Sequence, residues 1–141
     1  MNAQTLLGFD FGVRRIGVAV GQTLTGQARP LAVVQCPQRG EPDWRQIDML
    51  VRDWQPQALV IGRPSHADGS DNQTSVASDS FADSLGTRYA LPIYRVDERL
   101  SSHEAEQRLQ ELGPRKRQKP GAIDMMAACV ILETWLADLP A

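Results

Sequence analysis

Leu6-Leu7-Gly8-Phe9-Asp10-Phe11-Gly12, followed by Ile16-Gly17-Val18-Ala19-Val20, is the stretch on which the fold turns. Two apolar runs separated by the short turn Gly12-Val13-Arg14 predict strands over residues 4–11 and 14–20, joined as a hairpin. Into the first run the chain drives a carboxylate, Asp10. A buried, unpaired Asp is strongly destabilising, so a cation should stand ready for it. Asp10 is therefore the residue that the rest of the chain has to explain.

Working outward, Leu31-Ala32-Val33-Val34-Gln35 reads as a third strand, which makes the first part an antiparallel meander. Residues 43–54 set Trp44, Ile47, Met49, Leu50, Val51 and Trp54 at largely helical intervals and stop before Pro56. A fully apolar strand follows at residues 58–62. Beyond it a polar loop leads to a helix over residues 73–85, closed by Gly86, and to a strand over residues 93–96. Ser101 and Glu104 form a capping box for a helix that runs to Leu112 and ends at Gly113-Pro114. A last helix spans Ala122–Ala137. The predicted class is α/β: a five-stranded mixed sheet, three strands in a meander and two parallel, flanked by helices.

The 141 residues, 42% hydrophobic and 23% charged, suffice for one domain with a real core and leave no room for a second. No stretch approaches the ~20 apolar residues of a membrane span, and Met1-Asn2-Ala3-Gln4 lacks a signal pattern, so a cytoplasmic protein is expected. Cys36 and Cys129 are too few for a disulfide framework or a zinc site and read as small hydrophobes. A net charge of −2 argues against a module that holds nucleic acid by charge alone. The basic residues Arg115, Lys116, Arg117 and Lys119 nevertheless cluster between the last two helices.

Three carboxylates sit where apolar packing should be. Asp10 is one. Asp97 and Glu98 follow the strand at residues 93–96, and alternation allows at most one of them to share a face with Asp10. Asp124 occupies the first turn of the last helix on the stripe Asp124, Ala127, Ala128, Ile131, Leu132 and Trp135, which points it at the sheet. Acids gathered from distant segments suit hard divalent cations, and two such ions roughly 4 Å apart support phosphodiester cleavage. Taken singly, each acid also has a bland reading, as a turn residue, a solvated strand end or a first-turn acid facing the helix dipole.

The segments Leu7-Gly8-Phe9-Asp10-Phe11-Gly12 with Ile16-Gly17-Val18-Ala19, Val60-Ile61-Gly62 with Asp68-Gly69, Val96-Asp97-Glu98-Arg99-Leu100-Ser101, and Ile123-Asp124-Met125-Met126-Ala127-Ala128 resemble the YqgF family of Holliday junction resolvase-like proteins. Four motifs in order over nearly the whole chain make the resemblance specific. It implies an RNase H-like fold and a metal-dependent endonuclease or ribonuclease acting in 5′-end maturation of pre-16S ribosomal RNA, on pre-rRNA or ribosomal precursor particles. It also implies an acidic site of Asp10, Glu98 and Asp124 holding Mg2+ or Mn2+, and it chooses Glu98 over Asp97. Arg14, Arg99, Arg115, Lys116, Arg117 and Lys119 are the candidate phosphate contacts, with a solvated surface as the other reading and the stronger one for Arg14 and Arg99 taken singly. The loop start Arg63-Pro64-Ser65-His66 departs from the more apolar family pattern.

Two other activities fit the same residues: resolution of four-way DNA junctions, and a non-catalytic ribosome- or transcription-associated role. Asp10-Phe11-Gly12 is also similar to the first phosphate loop of actin-like and sugar-kinase ATPases, which clasp nucleotide between two such domains where this chain supplies one. His66 with Asp68, and His103, are expected at the surface, and Ser101 serves its cap. Trp44, Trp54 and Trp135 lie on apolar helical faces and are expected to pack.

Overall fold

The computed structural model describes residues 3–64, 72–98 and 121–139, together with 107, 108, 110, 111 and 113. Among them β1 (Thr5–Asp10) pairs antiparallel with β2 (Arg15–Gln22), which pairs antiparallel with β3 (Gln27–Gln35). On its other side β1 runs parallel to β4 (Ala58–Arg63), and β4 runs parallel to β5 (Ile93–Asp97). The sheet order is β3-β2-β1-β4-β5, the mixed five-stranded sheet expected. Three helices cover it among the described residues: α1 (Trp44–Trp54), α2 (Gln73–Tyr89) and α3 (Ala122–Ala137).

Strand alternation divides the core in two. Leu7, Phe9, Ile16, Val18, Val20, Leu59 and Ile61 turn to one face and pack with Ile47 of α1 and Phe81, Ala82 and Leu85 of α2. Leu6, Ala19, Ala58, Val60 and Val96 turn to the other and meet Ala128, Cys129, Ile131, Leu132 and Leu136 of α3. By the same parity Gly8 and Asp10 of β1, Gly17 and Gly21 of β2, and Gly62 of β4 belong to the α3 face. A Cβ on Gly8 would come within 2.8 Å of Leu132 Cβ, and one on Gly17 within 2.0 Å of the Asp124 carbonyl oxygen. These glycines form a bed in which α3 lies against the sheet backbone. A side chain at either position would lift the helix away.

The helix ends follow local chemistry. Asp43 accepts from the Arg45 N–H at the start of α1. Asn72 and Ser75 cap α2 reciprocally, with bonds of 2.7 Å in each direction. Gly121, at φ +77°, opens α3 where a Cβ would strike Val33. Cys36 is half-buried and Cys129 buried, and both are free thiols, as small hydrophobes would be.

Two boundaries differ from expectation by more than two residues. Gly86 does not end α2, which continues to Tyr89 with Ala90 in the left-handed cap at φ +53°. The extra turn is held from outside: Arg88 donates two hydrogen bonds of 2.8 Å to Asp48 of α1, and the Tyr89 hydroxyl a third of 2.6 Å. Gly86 instead permits close packing, since a Cβ there would stand 3.3 Å from Ile93. Strand β3 begins at Gln27 rather than at residue 31. Gln27-Ala28-Arg29-Pro30 lacks an apolar pattern because β3 is an edge strand, recruited by the β2 backbone rather than by burial. Its edge is partly covered: Glu133 of α3 accepts from the Ala28 N–H, and Gln46 of α1 donates to the Val33 carbonyl.

Trp44 lies 5.9 Å from the Phe81 ring and Trp135 stacks on Tyr94 at 4.6 Å, so both pack as expected. Trp54 lies under the Arg29 guanidinium. Residues 107, 108, 110 and 111 are helical, and Gly113 follows them at φ +87°. Among the described residues, no helix is long and apolar enough to cross a membrane.

Candidate active site

Asp10 is the last residue of β1, with Gly17 opposite it on β2 and the C-terminal end of β4 beside it. Its parity turns it to the α3 face, where the first turn of α3 arrives over Gly17. Glu98 comes immediately after β5 and reaches back across β4. It can do so because residue 62 is glycine: a Cβ there would lie 2.7 Å from Glu98 Cγ. Gly17 and Gly62 thus make room for the acids on either side of Asp10.

The Asp10 and Glu98 carboxyl groups are hydrogen-bonded to each other. Desolvation and the neighbouring acids both favour the protonated form of this pair. Burial raises the Asp10 pKa well above its ordinary value, and the Glu98 hydrogen bond and the charges of Glu98 and Asp124 raise it further. Glu98 is also raised by burial, against the lowering effect of the Asp10 hydrogen bond and the Arg95 charge. Of the pair Asp97 and Glu98, it is Glu98 that meets Asp10.

Asp124 stands near enough to act on Asp10 by its charge, yet its own carboxylate is turned to Arg15, which donates from Nε to Oδ2 at 2.6 Å. Among the described residues no three Asp, Glu, His or Cys side chains are gathered closely enough to hold an ion as they stand. The structure thus joins two of the three expected acids and places the third beside them, occupied by a guanidinium. The chemistry of the set still fits a hard divalent ion, because all three groups offer carboxylate oxygens and two carry raised pKa values that a cation would relieve.

Behind Glu98, Arg95 donates to the Ile61 carbonyl at 3.2 Å, to Ser78 Oγ at 2.7 Å and to Asp79 at 2.9 Å. Ser78 is fully buried and donates to the Gly62 carbonyl, while Arg63 donates twice to Asp79. The network fastens α2 to the end of β4 and brings a positive charge towards Glu98.

Sequence reasoning missed Arg15 and named its neighbour Arg14, whose side chain is exposed and whose carbonyl accepts from the Cys36 N–H. A signal existed, since alternation sets the residue two before Gly17 on the α3 face. The partner, 109 positions away, could not be read from spacing. Arg99, Arg115, Lys116, Arg117 and Lys119 lie outside the described residues, as do His66, Asp68, Ser101, Ser102, His103, Glu104 and Leu112.

A five-stranded sheet of this order, with acids at the end of its central strand and a helix bedded across them, is the RNase H-like architecture of the junction resolvases. Thermus thermophilus RuvC, solved with a Holliday junction substrate, superposes with a TM-score of 0.61 at 17% identity, over 94% of this chain and 93% of that one. The yeast mitochondrial Holliday junction resolvase Ydc2 superposes with a TM-score of 0.55 at 9% identity, over 93% of this chain and 77% of that one. At these identities the likeness is one of fold.

The chain belongs to the RuvX Holliday junction resolvase family, whose model matches residues 4–138. Among curated relatives, a protein of Azotobacter vinelandii named "Putative pre-16S rRNA nuclease" is 45% identical over 96% of this chain and 95% of its own length. One of the same name from Legionella pneumophila is 48% identical over 92% of this chain and 93% of its own.

Proposed function

We propose that this chain is a divalent-metal-dependent nuclease that hydrolyses phosphodiester bonds in the 5′-end maturation of pre-16S ribosomal RNA. The observation that carries the reading is the half-buried Asp10–Glu98 pair with Asp124 beside it, at the sheet edge opened by Gly17 and Gly62. Such a site is unfavourable in the folded chain unless a cation joins it, which speaks for use rather than packing.

Asp10, Glu98 and Asp124 are the residues assigned to hold one or two Mg2+ or Mn2+ ions. When bound, the ions supply Lewis-acid stabilisation of the phosphate and offset the negative site that would repel a strand. The chain's residues do the rest. Asp10 is fixed by the central strand, Glu98 by its seat over Gly62, and Arg95 brings charge towards Glu98 from the Asp79 and Ser78 network. Arg14, Arg99, Arg115, Lys116, Arg117 and Lys119 are assigned to backbone phosphates, which position a strand without reading its bases. The whole of residues 1–141 is read as one RNase H-like nuclease domain acting in the cytoplasm, on precursor ribosomal RNA free or in precursor particles. The names of the 42–48% identical relatives support the RNA assignment.

The test is cleavage of labelled precursor 16S RNA and of a four-way DNA junction by the purified chain with Mg2+ or Mn2+, beside Asp10→Asn prepared identically. Cutting of RNA alone, lost in the folded variant, is the expected result. Cutting of the junction alone would assign the site to DNA resolution, and a wild-type chain that cuts neither would favour a binding role.

A further inference from the structure

Arg15 opens β2, two residues before Gly17, and its guanidinium meets the first turn of α3 at Asp124. Among the described residues its polar contact runs through Nε, and the side chain stays 54% exposed while Asp124 is 21% exposed. Both backbones are fixed: Gly17 lets the Asp124 carbonyl lie against β2 with no space for a Cβ between them. Asp124 already acts on Asp10 by its charge while bonded to Arg15, so its carboxylate lies within electrostatic reach of the pair.

The pair is of the exchangeable kind, with the Arg15 side chain about half in solvent and linked through its Nε. A nucleic-acid phosphate offers the planar fork a two-pronged partner, which is the stronger contact. A divalent ion on Asp10 and Glu98 would in turn attract the Asp124 carboxylate and repel the guanidinium. Each event favours the other.

Resting on the reading of this site as a metal-dependent nuclease, we propose that Arg15 is a positioning residue that couples nucleic-acid binding to metal binding. Its guanidinium holds Asp124 until a backbone phosphate takes that guanidinium, and Asp124 is then released to complete the acidic site. The device suits a nuclease that must act only on a seated strand, because the metal site is finished by the substrate. Coupling of this sort is reciprocal, so the strand must tighten metal binding by the factor by which metal tightens the strand.

The experiment is a calorimetric Mn2+ titration of the full chain, with and without a 2′-O-methyl phosphorothioate RNA strand that resists cleavage, for wild type, Arg15→Gln and Asp10→Asn. In wild type the strand should tighten Mn2+ binding about tenfold, within the usual range of such couplings. Arg15→Gln should bind Mn2+ about threefold to tenfold tighter than wild type without the strand, and should lose most of the strand's effect. A purely structural role for the pair would leave the coupling in place.

Asp10-dependent Mn2+ binding that Arg15→Gln leaves no tighter, or a coupling that survives the substitution, overturns the proposal and spares the nuclease reading. Mn2+ binding indifferent to Asp10→Asn overturns both. Should Arg15→Gln fold poorly, the Arg15 Nε–H resonance of the wild type decides: it should shift when Mg2+ and strand are both present, and an unmoved signal at saturation refutes the exchange.

Discussion

At the scale of single residues the site works against the fold. Asp10 lies half-buried at the end of the central strand and shares a hydrogen bond with a second half-buried acid while a third acid adds its charge. Asparagine keeps the shape and can still donate a hydrogen bond, but it cannot ionise. Asp10→Asn is therefore expected to lower cleavage by about 10²- to 10⁴-fold, the range for a group acting at the reacting centre. In the absence of divalent metal the same variant should be more stable than wild type by roughly 1 kcal/mol, or about 3–5 °C in melting temperature, as when a strained functional group is relaxed. Parallel thermal melts and activity assays check both halves. A variant that loses activity and stability together would mark Asp10 as a packing residue.

At the scale of elements the glycines decide where the acids meet. Gly17→Ala would place a methyl group 2.0 Å from the Asp124 carbonyl oxygen, so β2 and α3 must part. Overpacking against fixed backbone is expected to cost about 3 kcal/mol, read by urea denaturation, and to reduce activity because Asp124 moves with its helix. Gly26→Ala is the contrast: nothing lies within 4 Å of that position, and only its φ of +68° resists the change, at about 1 kcal/mol. Equal costs would show that α3 yields easily. The elements themselves were legible in the sequence, because hydrophobic period and capping residues are local signals, as the bounds of α3 and the start of α2 at Asn72 illustrate. Asp10 was legible for the same reason, as an acid inside an apolar run. The choice between Asp97 and Glu98 was legible only through the family resemblance, since strand parity leaves either open and the seat for Glu98 is made by Gly62 on another strand. The extra turn of α2 and the first half of β3 escaped because each is held by a partner distant in sequence, Asp48 in one case and the β2 backbone in the other.

At the scale of the whole molecule, two sets of acids pull the pH dependence of stability in opposite directions. Asp10 and Glu98 hold their protons above the ordinary 3.8 and 4.5, so the folded chain binds more protons than the unfolded chain as pH rises from there. Stability must then fall with rising pH until both folded-state pKa values are passed. Asp48 and Asp79 act in reverse. Hydrogen bonds from Arg88 and Tyr89 pull Asp48 from 3.8 to about 2, and those from Arg63 lower Asp79. Their contribution is complete above pH 4 and is lost as pH falls towards 2. The metal-free chain should therefore melt highest in mildly acid solution, losing stability below about pH 4 from the Arg-paired acids and, as pH rises beyond the ordinary 3.8 and 4.5, from the Asp10–Glu98 pair. Asp10→Asn should flatten the upper limb and leave the lower one. Mn2+ should raise the melting temperature at pH 7 by more than at pH 5, because a cation replaces the proton that the site otherwise retains. Melting curves from pH 3 to pH 8, with and without Mn2+, test the three statements together. An upper limb that is level in the wild type, or that Asp10→Asn leaves unchanged, would mean that the carboxylates at the edge of the sheet are not the groups that set this protein's stability near neutrality.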